Sequence, residues 1–253
     1  MAVAIRSQRE IELLREAGKR LADLHDYLGT LIRPGISTLE LDHKAYDYIK
    51  KLKDCTPSFL NYDGFPNSLC ISINEEIVHG IPKKHTFLKE GDIVTIDAGV
   101  TYKAYYSDAA RTYMVGEVKP EIRDLVQHTE ESFFEAIKCA QAGHHLHEIC
   151  AAVDDYITPF GYGIIRELCG HGVGTDLHED PQIPNFRQET RGIKLKPGMV
   201  LAVEPMIALK NPEVEWQEDG WGVITKDHSP VSHYENTILI TPEGEPEILT
   251  LNR

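Results

Sequence analysis

Five acids and histidines in this 253-residue sequence lie on or beside strand-like runs and are of the types that hold divalent metal: Asp97 in Thr-Ile-Asp-Ala-Gly, Asp108 in Tyr-Ser-Asp-Ala-Ala-Arg, His171 in Cys-Gly-His-Gly-Val-Gly, Glu204 in Val-Glu-Pro-Met and Glu235 in His-Tyr-Glu-Asn-Thr. Four carboxylates are enough to bridge two hard cations, and a single imidazole makes the two positions inequivalent. Two such ions share a water, lower its pKa and hold a nucleophilic hydroxide at neutral pH. Each residue alone has a plainer reading, Asp97 as a strand-end cap and Glu204, before Pro205, as a turn acid. Gly170 and Gly172 flank His171 and let backbone approach the ring closely.

The elements that must carry these residues are duplicated. Residues 88–97 align without gaps on 195–204, 107 positions on, and 35–49 align on 143–157, 108 positions on. Asp97 and Glu204 therefore fall at equivalent points, each after a Val/Ile-rich run expected to be buried. If two halves face each other across a pseudo-two-fold axis, the two acids converge. Buried convergent carboxylates need a counter-charge, because unpaired charge in an apolar setting is too costly.

Ser7 and Glu10 form a capping-box pattern ahead of Ile11, Leu14, Ala17, Leu21, Leu24 and Leu28 at helical spacing, and the run stops at Pro34-Gly35. A second box, Ser37 and Glu40, opens a helix carrying Leu41, Ala45, Tyr48, Ile49 and Leu52. Their counterparts are predicted at about 130–142 and at 147–157. Strand-like runs lie at 68–73, 93–98, 110–115, 200–203 and 237–240. No linker separates the halves, and 116–122 is too short to serve as one. The expectation is one catalytic domain, 1–253, with halves at roughly 1–118 and 119–253. Its class is α/β (α+β), with a curved, mostly antiparallel sheet around a central site and flanking helices.

Forty acidic against 26 basic residues give a formal charge of −14. That balance argues against nucleic-acid or anionic-membrane binding, which needs clustered Lys and Arg. No stretch approaches the roughly 20 apolar residues that span a bilayer, and the first residues lack a signal-peptide core. The five cysteines are odd in number and contain no Cys-x-x-Cys pair, so reduced thiols and a cytoplasmic protein are expected. His144-His145-Leu146-His147 aligns with a helix start in the repeat and is read as one.

Asn74 to Pro82 (Asn-Glu-Glu-Ile-Val-His-Gly-Ile-Pro), the Asp97 and Asp108 segments, Gly170-His171-Gly172-Val173-Gly174 with His178-Glu179, Val203-Glu204-Pro205-Met206, and Glu235 together resemble the type I methionine aminopeptidases, over essentially the whole chain. The resemblance implies the pita-bread fold and hydrolysis of the initiator methionine from peptides and nascent proteins whose second residue is small, by a metal-bridging hydroxide. It implies two divalent ions, Mn, Fe(II) or Co, with Zn also admitted. Asp97 would chelate one ion, Asp108 and Glu235 would bridge both, and His171 and Glu204 would complete the other. Glu204 would also handle the proton of the attacking water. His178 would stabilise the oxyanion and His79 would contact the peptide at the reacting bond. Phe59, Tyr62, Phe65, Cys70, His79, Leu177, His178 and Trp221 would line the substrate pocket, a close apolar slot suited to an unbranched thioether.

The chain also departs from that family. Where the family commonly reads Ser-Ala-Gln-x-Glu-His, this sequence has Val231-Ser232-His233-Tyr234-Glu235-Asn236. Asn236 replaces a histidine expected to hydrogen-bond behind a metal ligand. Glu76 and Val231 depart at positions that help bind a monovalent cation in bacterial relatives. The Glu204–Glu235 spacing leaves no room for the helical insert of the second type, and a catalytic core without the zinc-binding extension of some eukaryotic relatives is expected. Two alternatives share the fold: a proline-specific (X-Pro) aminopeptidase or dipeptidase, which usually has an added N-terminal domain, and a non-catalytic pita-bread binding protein, which typically lacks metal ligands. A monomer is expected, acting on peptide and nascent-chain N-termini, with docking near the ribosomal exit tunnel and the physiological metal left open.

Overall fold

A computed structural model describes residues 3–252. At its start, the backbone N–H and hydroxyl of Ser7 both donate to Glu10, at 2.8 and 2.6 Å, and helix α1 (Gln8–Gly29) follows. Ile11, Leu14, Ala17, Leu21, Leu24 and Leu28 are its buried stripe, as the spacing predicts. Helix α2 (Thr38–Lys51) is capped by Ser37, whose hydroxyl accepts from Glu40 N at 3.2 Å.

Helix α3 corrects the sequence reading. It spans Pro120–Ile137, starting ten residues before the predicted 130 and ending before 142. Pro120 stands in its first turn, where the fixed φ is pre-organised for helix and the missing N–H costs nothing. Helix α4 (Leu146–Ile157) agrees with the prediction to within one residue. His145 caps it, with Glu148 accepting from His145 N at 2.7 Å, so the histidine tract opens a helix.

The strands are β1 (Cys55–Pro57), β2 (Leu69–Ile73), β3 (Glu76–Val78), β4 (Ile93–Tyr102), β5 (Tyr105–Met114), β6 (Gly163–Ile164), β7 (Gly170–Gly172), β8 (Glu179–Ile183), β9 (Val200–Val203), β10 (Met206–Ala208), β11 (Val214–Trp216), β12 (Val223–Thr225), β13 (Val231–His233), β14 (Asn236–Leu239) and β15 (Glu247–Ile248). Every recorded pairing is antiparallel. One sheet runs β1-β4-β2 with β5 on β4, and the largest runs β15-β14-β9-β7-β8. Helices α1 and α2 cover the first with a core that includes Leu24, Leu28, Leu41, Ile49, Val94 and Ile96. Helices α3 and α4 cover the second through Phe133, Ile149, Val153, Leu201 and Ile238.

The duplication is carried in the backbone bonds. Gly35 N donates to Leu88 O at 2.7 Å, and its counterpart Gly143 N donates to Leu195 O at 2.9 Å. Val115 N donates to Asp92 O, and Ile240 N donates to Met199 O, both at 2.9 Å. The β4–β5 hairpin is thus built again in pieces, β9 and β10 standing for β4, and β13 and β14 for β5. Its pair Asp97↔Ala110 corresponds to Glu204 facing Glu235, and its pair Gly99↔Asp108 corresponds to Met206↔His233. The halves join where Glu235 N donates to Ala110 O at 3.0 Å and the Thr237 hydroxyl donates to Asp108 O at 2.8 Å. Among the described residues, no helix is long and apolar enough to cross a membrane.

Candidate metal centre and peptide pocket

All five predicted ligands open onto one cavity of about 610 Å³ between the halves. Asp97 sits mid-strand on β4, Asp108 on β5 and His171 on β7, while Glu204 and Glu235 occupy the breaks between β9 and β10 and between β13 and β14. Two triads, Asp108/His171/Glu235 and Glu204/His233/Glu235, each bring one donor atom per residue to within 4.8 Å of one another, and Glu235 belongs to both. Asp97 stands outside the triads with its carboxyl beside that of Asp108. His171 Nε2 is 3.6 Å from Glu204 Oε1 and 3.7 Å from Asp108 Oδ2. With its Nδ1 proton donated to Gly172 O at 2.9 Å, the ring presents an unprotonated Nε2 to the cavity.

The electrostatics fit a pair of divalent ions. Burial raises the Asp97 carboxyl to about 7. Burial, and then the neighbouring carboxylates, push Asp108, Glu204 and Glu235 well above the ordinary range. Without added positive charge, four such groups cannot all be ionised. Asp97 Oδ1, Asp108 Oδ1 and Glu235 Oε1 have no hydrogen-bond partner among the described residues. Hard oxygen donors with histidine nitrogen are the ligands that suit such ions.

Beside this cluster lies an apolar wall. Phe59, Phe65, Cys70 and Leu177 are buried together, with Tyr62 and Trp221 packed against them. Phe65 and Trp221 meet edge to face at 5.1 Å. Ile81 and Tyr106 join the cluster, as the sequence reading did not foresee. His178 packs its ring 4.4 Å from that of His171, and its Nδ1 lies 3.2 Å from the Tyr62 hydroxyl. His79, held at φ +59° between Val78 and Gly80, lines the cavity edge-on to Trp221. Burial lowers the pKa of both histidines, which keeps them neutral near pH 7.

His233 was read only as a departure from the family pattern. It is 2 % exposed, lines the cavity and completes one of the triads. Asn236 also differs from expectation. Its carbonyl accepts from Arg111 and from the Thr250 hydroxyl, so it acts on the site through Arg111, which also donates to Glu235 O. Glu76 Oε2 accepts from Ile73 N at 3.0 Å, and Val231 N donates to Asn74 O at 2.8 Å.

Residues 12–242 match the profile of Metallopeptidase family M24. A methionine aminopeptidase of Clostridium acetobutylicum is 45% identical, covering 98% of this chain and 99% of that protein. The chain belongs to the methionine aminopeptidases of metallopeptidase family M24. The Escherichia coli K12 methionine aminopeptidase is 39% identical over 100% of this chain and 96% of that one. The crystal structure of the Thermotoga maritima methionine aminopeptidase superposes with a TM-score of 0.96 at 40% identity, covering 99% of this chain and 100% of that one. The type I resemblance and the pita-bread architecture expected from sequence are borne out. An Xaa-Pro dipeptidase from Bacillus anthracis shares the fold at a TM-score of 0.76 and 26% identity, but only 62% of that chain is covered, which sets the proline-specific branch apart.

Proposed function

We propose that this protein removes the N-terminal methionine from peptides and newly made proteins whose second residue is small. The observation that carries the reading is the shared cavity, in which an apolar wall of Phe59, Phe65, Cys70, Leu177 and Trp221 adjoins the buried carboxylates and His171. Asp97, Asp108, His171, Glu204 and Glu235 would hold two divalent ions, of which Mn, Fe(II) and Co suit the oxygen-rich donors best and Zn is compatible. Bound there, the ions supply Lewis acidity and acidify water. Glu204 receives a proton from the attacking water and returns it to the leaving amine. His178, lining the cavity with Nδ1 held by a Tyr62 hydroxyl that itself donates to Asp176, stabilises the developing oxyanion. His79 contacts the peptide at the scissile bond. Tyr62 and the apolar wall seat the methionine side chain and reject β-branched or charged ones.

The reading extends to one catalytic domain, halved near residue 118, working in the cytoplasm as a monomer on nascent-chain N-termini near the ribosomal exit tunnel. The net charge of −14 and five unpaired cysteines support the compartment. The test is amino-acid release from Met-Gly-Met-Met, from its Met-Val counterpart and from a Gly-Pro peptide, with Mn(II), Fe(II) or Co(II). Free methionine from the first alone is the expected result. Cleavage of the Gly-Pro peptide with silence on the first would move the chain to proline-specific chemistry.

A further inference from the structure

His233 sits inside the metal centre with a ring that no hydrogen bond from the described residues engages. Both of its nitrogens are buried and have no hydrogen-bond partner among the described residues. The other fully enclosed histidine outside the site, His25, is satisfied at both, with Ala109 O at 2.8 Å and the Tyr113 hydroxyl at 3.2 Å. Native interiors rarely leave such groups unpaired without a bound partner. His233 Nε2 lies 3.6 Å from Glu204 Oε2 and 3.9 Å from Glu235 Oε2. Those separations are too long for hydrogen bonds, which close at about 2.7–3.2 Å. They suit two ligand atoms that each sit about 2.0–2.2 Å from a common ion.

The duplication points the same way. His233 pairs with Met206 as Asp108 pairs with Gly99, so it is the second-half counterpart of a predicted ligand, just as Glu204 is the counterpart of Asp97. Glu204 then lies between two imidazoles, His171 at Oε1 and His233 at Oε2. We propose that His233 is a further ligand of the ion held by Glu204 and Glu235, giving the centre a second imidazole. This deepens the metal-site reading above and rests on it. A nitrogen-richer site favours Co(II), Fe(II) or Zn(II) over Mn(II), because imidazole suits the later metals and oxygen donors suit manganese.

The test compares chelator-treated wild type with His233→Gln by calorimetric titration with Co(II) and with Mn(II), and by the visible absorption of the Co(II) forms. Two ions should bind wild type. His233→Gln should lose about 10-fold or more in Co(II) affinity at one site, lose less for Mn(II), and change its Co(II) spectrum. Anomalous diffraction from Co(II)-loaded wild type needs no variant, and should place Nε2 of His233 about 2.1 Å from an ion. Two ions bound with equal affinities and spectra in both proteins, and an Nε2 beyond 3 Å from any ion, would overturn the role of His233 and leave the five-ligand site standing. Wild type that binds no ion at all would overturn both.

Discussion

Removing the metal should make the protein labile to alkali, and the window follows from opposing titrations. In the ion-free site burial raises Asp97 from 3.8 to about 7, and burial and the neighbouring carboxylates raise Asp108, Glu204 and Glu235 well above their ordinary values. A raised group keeps its proton after the unfolded chain has lost its own, so stability falls with pH from the unfolded value up to the folded one. The slope is about 1.4 kcal/mol per pH unit for each retained proton. Asp97 alone spans roughly three units, or about 4 kcal/mol, and water in the cavity reduces this toward about 2.

Buried histidines act with the opposite sign. Burial holds His25 and His233 down to about 3 and His171 to about 4. Unfolded histidine charges below about pH 6.5, so each neutral buried ring adds stability as pH rises to that value and nothing above it. Below pH 6.5 the two sets oppose each other, whereas above pH 7 only the carboxyls remain. Every proton that Asp108, Glu204 and Glu235 still hold between them lowers stability by about 1.4 kcal/mol per pH unit, so one held from pH 7 to 8.5 costs about 2 kcal/mol. Staying at 8.5 keeps below the cysteines, which burial pushes up from 9.0, to about 12 for Cys150. The assay is urea unfolding of chelator-treated protein at both values, repeated with Mn(II). Bound ions should abolish the decline, since they require deprotonated ligands. Metal-free protein that is equally or more stable at pH 8.5 would refute the reasoning.

Other perturbations probe the frame around the site. Asp97→Ala should abolish turnover and leave the far-ultraviolet dichroism unchanged, and wild-type-like activity would remove Asp97 from the ligand set. Asp42 accepts from Ser68 N, Leu69 N and Asn67 at 2.8–3.0 Å, so Asp42→Ala should cost about 3 kcal/mol in urea unfolding by stranding buried amides. A Cβ on Gly99 would lie 2.6 Å from Ser58 Cβ and 3.0 Å from Phe59, so Gly99→Ala should raise KM for methionyl peptides several-fold while ion binding holds. Arg111→Met removes donors to Glu235 O, Asn236 and Thr250 O, and should weaken ion binding in a titration as well as stability.

Asp97 and Glu204 were legible because the repeat keeps one offset through the strand that ends in each acid, and a buried acid after a Val/Ile run has few structural uses. The start of α3 was not, because Thr129 and Ser132 interrupt its apolar stripe. Both are fully buried and bond back to their own helix, Thr129 to Leu125 O at 2.8 Å and Ser132 to Thr129 O at 2.7 Å. His233 escaped for a topological reason. The tight turn at Lys103 and Ala104 in the first half is replaced in the second by a connection carrying β11 and β12, so the return strand leaves the common offset. Only the pairing of Met206 with His233 restores the correspondence with Asp108. The apolar pocket was legible through resemblance alone, since its residues come from separate segments that no local pattern joins.

The most direct measurement is release of free methionine from Met-Gly-Met-Met by chelator-treated protein as Mn(II) or Co(II) is added in measured equivalents. The account predicts no release without ions and activity that saturates by about two equivalents, the number the paired clusters are built to hold. Full activity in the presence of excess chelator, or none at any ion concentration in protein that binds the ions, would contradict it.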